Sequence, residues 1–474
     1  MLAAFIVLLR LAALAGEFDT VITAASFEAA RENRTALRAF LHRMPKGGDL
    51  HTHLGGAVYA ERFIAWAAEQ GLCVDLKTVV LPKPQCDRAG AVPVSDAMRD
   101  QALYNRMVDA FSMRWFLPTP AVPTGHDEFF AAFEKFGTVS GSHFVDMTVD
   151  QLKLYDSQNV QYVEFMVSSW SPNDRERFVK AVTVAALEAS GLDDCVAATR
   201  DGMTAATGKV TTALACDARN AQPGCGVTFR YILQINRNNS PDEVFVRTAI
   251  AAALIRAEPR IVALNFVGPE DNFVARRDYT RHMQIIRFLA NDVPVALHAG
   301  ELWLGLVPPP DLTFHIRAAI EIAGARRIGH GVSLAFERGM EGLLAEMRAR
   351  PVVVEINLTS NDLILGVRGK DHPLPAYLAA GVPVVLSSDD AGISRIDLTN
   401  EYVRAARDYG LGYRMLKAIA RNALIYSFLD EGQKRDELKR FDRACAEFER
   451  SVAGRQTPLQ NAVALIKAAV TSPP

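Results

Sequence analysis

The sequence predicts an α/β fold, a (β/α)8 TIM barrel with helical insertions and a helical C-terminal extension, and three observations carry that expectation. Eight short apolar, largely β-branched runs are each bounded by turn or helix signals. The later runs are separated by intervals long enough for one helix apiece, as alternating βα units require. The polar residues best able to do chemistry gather at the C-terminal ends of those runs, where barrel enzymes keep their reactive groups.

In chain order, residues 24–43 alternate apolar and charged positions at helical spacing and predict one amphipathic helix leading to Pro45-Lys46. The eight runs follow at 48–53, 162–168, 229–235, 261–267, 293–298, 327–330, 352–357 and 382–388. Helices are expected at 279–289, 314–323 and 340–348, and a mostly helical extension at 398–470. Two intervals are too long for one helix, about 60–160 and 173–226. They read as insertions that cap the barrel mouth or build a subunit contact such as a homodimer interface. At 474 residues the chain exceeds the usual domain, but α/β barrels run long, and 16–474 is read as one barrel domain.

Hydrophobic residues make up 49% and charged residues 22% of the chain, an ordinary balance for a globular protein with a sizeable core. The formal net charge of −2 lacks the basic excess that draws proteins to phosphate backbones or anionic lipid, so a small-molecule partner is expected and nucleic acid is not. Leu2 to Ala15 is apolar except for Arg10 and ends in Ala13-Leu14-Ala15 before Gly16, which reads as a signal peptide over 1–15 and predicts a secreted or periplasmic protein. A short anchor or a misplaced start, with a cytoplasmic protein, is the alternative. The run is too short to span a bilayer as a helix, so stable membrane insertion is not expected.

None of the six cysteines forms a Cys-x-x-Cys pair, which argues against a thiolate metal site. Cys73 and Cys86 flank one turn-rich segment, and Cys195, Cys216 and Cys225 crowd another. One bridge in each is expected after export, and buried free thiols otherwise.

His51-Thr52-His53 ends the first run, and residues two apart on a strand share a face, so both imidazoles point the same way. His298-Ala299-Gly300-Glu301 ends the fifth run with a third imidazole and a carboxylate that needs a partner or a task. Gly329-His330-Gly331 ends the sixth, its glycines allowing close approach of backbone or substrate. Ser388-Asp389-Asp390 ends the eighth with adjacent carboxylates pointing different ways, one suited to a metal and the other to a substrate, or either to capping a helix. Three histidines and an aspartate converging from separate strand ends form a ligand set for zinc or iron.

The ordered motifs Met44-Pro45-Lys46, Leu50-His51-Thr52-His53-Leu54, His298-Ala299-Gly300-Glu301, Gly329-His330-Gly331 and Ser388-Asp389-Asp390 resemble those of the adenosine deaminase family. The early insertion with Ser112-Met113-Arg114, and the signal peptide, are more similar to its secreted growth-factor-like branch. The resemblance implies one Zn2+ per chain held by His51, His53, His298 and Asp389, with Glu301 protonating the ring nitrogen beside the amino-bearing carbon. His330 would orient or deprotonate the metal-bound water, Asp390 would bond near purine N7, and Gly268 would meet the opposite purine edge through its backbone. The implied reaction converts adenosine or 2'-deoxyadenosine to inosine or 2'-deoxyinosine and ammonia. Alternatives are another aminopurine or modified nucleoside, or a secreted binding protein without catalysis, against which Glu301, His330 and Asp390 all speak. In one departure, the family's His-x-His-Leu-Asp-Gly has Gly55 at its acid, which puts ribose recognition in question. Glu164, on the second run, is expected to be structural.

Overall fold

In a computed structural model, the described residues are 2–457, except 82–85, 87–88, 169–176 and 179, together with 460 and 463; the side chains of 2–15 are not described. The character of the 1–15 segment, part of the second insertion and the end of the C-terminal extension therefore fall wholly or partly outside the described residues.

Ten strands occur among them: β1 Gly48–His53, β2 Cys73–Asp75, β3 Ala91–Pro93, β4 Tyr162–Val167, β5 Thr228–Asn236, β6 Ile261–Val267, β7 Ala296–Ala299, β8 Arg327–His330, β9 Val353–Ile356 and β10 Val384–Leu386. Eight of these fall on the eight predicted runs. β7 and β10 start later than their runs because Pro294 and Pro383 have no N–H for the ladder. Both prolines still accept, from Leu264 and Val354 respectively.

The barrel is assembled as two parallel half-sheets, β1-β4-β5-β6 and β10-β9-β8-β7. One seam joins β6 to β7 through a bridge between Leu264 and Val295. The other joins β1 to the end of β10 through Thr52 and Asp389, where Asp389 N–H donates to His51 O (2.9 Å) and His53 N–H to Asp389 O (3.2 Å). Closure in this way leaves no free sheet edge.

The single helix expected over 24–43 is two, Leu2–Arg31 and Arg34–Arg43. Asn33 divides them: it leaves helical backbone geometry, and its Oδ1 accepts from the N–H of Thr35 (2.9 Å) and Ala36 (3.0 Å). The first of the pair packs along the C-terminal helix Glu431–Ala453, with Thr20 Oγ1 donating to Glu449 at 3.0 Å.

The first insertion folds into helices around the short β2–β3 hairpin, fastened by a Cys73–Cys86 disulfide. Its helix Gly125–Ser140, capped by Thr124, reaches the C-terminal end of the barrel and lines the cavity there. The second insertion does not cap the mouth among the described residues. Its long helix Leu192–Ala213 packs instead on Phe144–Ser157 and Pro241–Ala257, outside the barrel, and no residue of it lines the cavity. A Cys216–Cys225 disulfide closes that insertion, while Cys195 and Cys445 are buried.

Candidate active site

Four imidazoles and three carboxyl groups from β1, β7, β8 and the end of β10 meet at the C-terminal mouth. His51 and His53 leave β1 on one face, and His298 approaches from β7, with His53 Nε2 and His298 Nε2 3.2 Å apart. Asp389 Oδ1 lies 3.4 Å from both His51 Nε2 and His53 Nε2. His330 stands beside this group, 3.8 Å from Asp389 Oδ2 and 3.6 Å from Glu301 Oε1. His330 and Asp389 both hold left-handed backbone, φ 67° and 56°, a costly conformation for residues with a Cβ that gathers at functional sites. Gly329 is small for a local reason: a Cβ there would stand 2.5 Å from the His51 ring.

The outer nitrogens settle which atoms face inward. His51 Nδ1–H donates to Glu355 (2.6 Å), His53 Nδ1–H to Gln234 Oε1 (3.0 Å) and His298 Nδ1–H to Asn265 Oδ1 (2.9 Å). The Asn265 oxygen is fixed as acceptor because it also takes the His298 backbone N–H at 3.1 Å. With only the Nδ1 atoms protonated, each Nε2 presents a lone pair to the others and to Asp389, an arrangement that repels itself unless a cation stands at its centre. Burial lowers His51, but Asp389 and Glu355 outweigh it and pull that ring up to about 10, so a proton on its Nε2 serves that purpose until a metal takes its place. The three nitrogens and one oxygen, all within 4.8 Å of one another, fit a four-donor divalent metal site with a hydrogen-bonded outer layer. Burial pushes His53 down to about 4 and His298 lower still, so both are neutral as ligands must be. Asp389, though buried, is held well below the usual carboxylate range by His51 Nε2 facing it and by the other imidazoles.

The outer layer continues across the barrel. Glu355 meets Arg327 at 2.7 Å, and Arg327 donates to Glu164 at 2.6 Å, so a line of buried charge runs from β4 to the His51 ring. Glu164 also accepts from Tyr162 and from the Phe428 N–H, the structural place expected of it.

Glu301 is buried, and that burial together with the Asp389 charge pushes it up to about 8, so it holds its proton at neutral pH. Its backbone N–H and that of Gly300 both donate to Glu270, at 2.8 and 3.1 Å. Asp390 is buried too, and desolvation plus the adjacent Asp389 carboxylate raise it well above the ordinary range. Its Oδ1 has no hydrogen-bond partner among the described residues.

These groups line a cavity of about 460 Å3 together with Gly268 and the aromatic rings of Phe129, Phe130 and Phe133. Gly268 has φ +91°, and a Cβ there would press on Asn236 Oδ1 at 2.8 Å. Of the eight residues assigned to metal, catalysis or substrate from the sequence, all but His51 therefore line one cavity, and His51 lies beside it against His298 and Asp389. Sequence reading missed the partners that orient them, namely Gln234, Asn265, Glu270, Glu355 and Asn361. Except for Asn265, which opens the Asn265-Phe266-Val267-Gly268 motif of the matching glycine, each is an isolated polar residue; a buried-strand Glu, as in Val354-Glu355-Ile356, is a further signal.

A closed α/β barrel carrying a His/Asp centre at its C-terminal strand ends defines a barrel enzyme with a divalent-metal site. The adenosine deaminase family model matches residues 128–444, and the chain belongs to that family. It is 34% identical over 221 residues to an aminodeoxyfutalosine deaminase of Streptomyces coelicolor, covering 45% of this chain and 52% of that one. It is 33% identical over 184 residues to an adenosine deaminase of Salmonella heidelberg, covering 39% and 51%. The matches thus span about half the length of these curated relatives. Among solved structures, an Arabidopsis ADAL complexed with IMP superposes with TM-score 0.59 at 19% identity, over 86% of this chain and 99% of that one. A Burkholderia amidohydrolase with bound Zn superposes with TM-score 0.54 at 18% identity, over 88% and 95%. These likenesses establish the shared fold.

Proposed function

We propose that this chain is a zinc-dependent hydrolytic deaminase of an aminopurine nucleoside, with adenosine and 2'-deoxyadenosine as its substrates. The observation that carries the reading is the pairing, in one cavity, of a cation-ready donor set with the buried Glu301 carboxyl, whose burial favours its protonated form. Zinc held by His51, His53, His298 and Asp389 would supply Lewis-acid activation of a water. Ammonia leaves an aromatic amidine carbon only after an oxygen nucleophile adds to it, and protonating the neighbouring ring nitrogen makes that carbon electrophilic. Glu301 carries such a proton. Asp390 and the Gly268 backbone, both lining the cavity, offer polar contacts to two edges of a purine, and the Phe129, Phe130 and Phe133 rings offer apolar surface for its faces.

Among the described residues no lysine or arginine lines the cavity, which favours an uncharged nucleoside over its phosphate. The second reading is a different aminopurine, and Gly55 favours it. A Cβ at Gly55 would meet nothing within 4 Å, so the place of the family's acid is open space. Export, and with it the growth-factor-like branch, is part of the same proposal and is supported by the two disulfides, which persist in oxidising compartments.

Metal analysis joined to an ammonia-release assay on adenosine, 2'-deoxyadenosine, adenine and cytosine tests the reading. One zinc per chain and preferred turnover of the two nucleosides is the expected result. Equal turnover of cytosine and adenosine, or release of ammonia from none of the four, would overturn it.

A further inference from the structure

His330 faces the cavity without belonging to the four-donor set, and its other ring nitrogen opens a chain of buried contacts. His330 Nδ1 lies 2.8 Å from Asn361 Oδ1, and Asn361 Nδ2 lies 2.9 Å from His372 Nε2. His372 Nδ1 receives the backbone N–H of Leu374 at 3.1 Å. All three side chains are buried.

Proton counting does not close with the amide oriented this way. A backbone N–H can only donate, so His372 Nδ1 carries no proton. Burial, with Arg404 nearby, pushes His372 down to about 3, so the ring is neutral and its one proton is on Nε2. An Asn361 NH2 aimed at that N–H would set two donors against each other at 2.9 Å. The oxygen and nitrogen of an amide occupy interchangeable positions, and a half-turn of the group gives every proton an acceptor. His372 Nε2–H then donates to the Asn361 carbonyl, and the Asn361 NH2 donates to His330 Nδ1. An imidazole that accepts at Nδ1 bears its proton on Nε2. The Asn357 side chain, 3.4 Å from His330 Nε2, turns its oxygen to the ring by the same operation; that oxygen has no donor among the described residues otherwise.

We infer that Asn361 and His372 are positioning residues that lock His330 in the Nε2–H tautomer, so that it shows the cavity a proton and not a lone pair. The single His330 Nε2–H is thereby a donor, to the Asn357 oxygen when the cavity is empty and to the oxygen of the attacking water when one is bound, and it orients that oxygen without receiving its proton. Where the motif at Gly329-His330-Gly331 left orientation and deprotonation both open, the buried chain behind it selects orientation. The kinetic consequence rests on the proposed deaminase reaction; the tautomer does not.

The test is a long-range proton–nitrogen correlation spectrum of protein labelled with 15N-histidine, the His330 signals being identified by their loss in His330→Gln. The wild type should show His330 protonated on Nε2 and bare on Nδ1. Asn361→Asp, whose carboxylate only accepts, should bring a proton onto His330 Nδ1 and lower kcat about 100-fold while KM stays within about threefold. His372→Phe, which frees the amide to turn, should give a mixture of tautomers and serves if the aspartate variant does not fold. A wild-type His330 protonated on Nδ1, or variants whose tautomer matches the wild type, would overturn the inference. The expected spectra without ammonia release from any aminopurine would uphold it and remove the proposed reaction instead.

Discussion

Glu301 is placed by a residue that never reaches the cavity floor as an acid, Glu270, which ties down the backbone of Gly300 and Glu301. The two glutamates are driven in opposite directions. Burial raises both, but Arg237 and His315 beside Glu270 outweigh it and hold that carboxylate at about 2. A group whose folded value lies below its ordinary 4.5 stabilises fully above 4.5 and loses that contribution as pH falls from about 4.5 towards 2. Acid denaturation followed by circular dichroism should therefore show a loss on the order of 3 kcal/mol in that window. Glu270→Gln should flatten it, and an unchanged profile in that variant would refute the assignment. Glu301→Gln should abolish ammonia release with zinc content unchanged, because the amide keeps the shape but cannot transfer a proton; retained turnover would remove Glu301 from the reaction. Gly55→Asp fills open space and should lower KM for nucleosides relative to the free base; equal effects on both would deny ribose recognition at that position. The residues that do chemistry were legible because each stands in a local motif at a strand end. Their partners were not, since His51 finds Glu355 304 residues away and only folding creates the pair.

The helix Gly125–Ser140 shows what a single element adds. It closes over the mouth with three aromatic rings and is tied to the loop after β6 by His126 and Asp271 at 3.0 Å. Phe133→Ala should raise KM about tenfold with a much smaller change in kcat, as expected for loss of apolar contact that binds ground and transition states alike. A fall in kcat at constant KM would mean that the helix acts on chemistry. The period of an amphipathic helix marks the helices between the later strands, but it does not say which surface an insertion covers. For that reason 60–160 and 173–226 are read alike from the sequence, as capping the mouth or building a subunit contact, whereas among the described residues the long helix Leu192–Ala213 of the second packs on the outside. The break at Asn33 and the β2–β3 hairpin escaped for a different reason: an Asn cap competes with an otherwise continuous helical pattern, and three-residue strands carry too little alternation to register.

Across the whole molecule, the eight-run repeat predicted the barrel because parallel strands buried on both faces read as continuous apolar runs. The seam was not visible in that pattern. It unites two half-sheets through backbone groups of His51, His53 and Asp389, the same residues whose side chains form the donor set. A cation bound there stabilises the closed barrel by mass action, about 3 kcal/mol at a hundredfold excess over its Kd. Removing metal with a chelator should lower Tm by several degrees, and zinc should restore it; a Tm indifferent to metal would separate the donor set from the closure of the barrel.

The same seam also governs how the chain can mature. Asp49 beside the first ligand accepts from Ser388, 339 residues later, at 2.6 Å. During synthesis the opening strand must wait on the ribosome until nearly the whole polypeptide has emerged, its pairing edge exposed meanwhile to neighbours. A truncation anywhere before residue 388 should accordingly yield an aggregating ribbon in place of a smaller enzyme, with solubility returning only once the final strand is present.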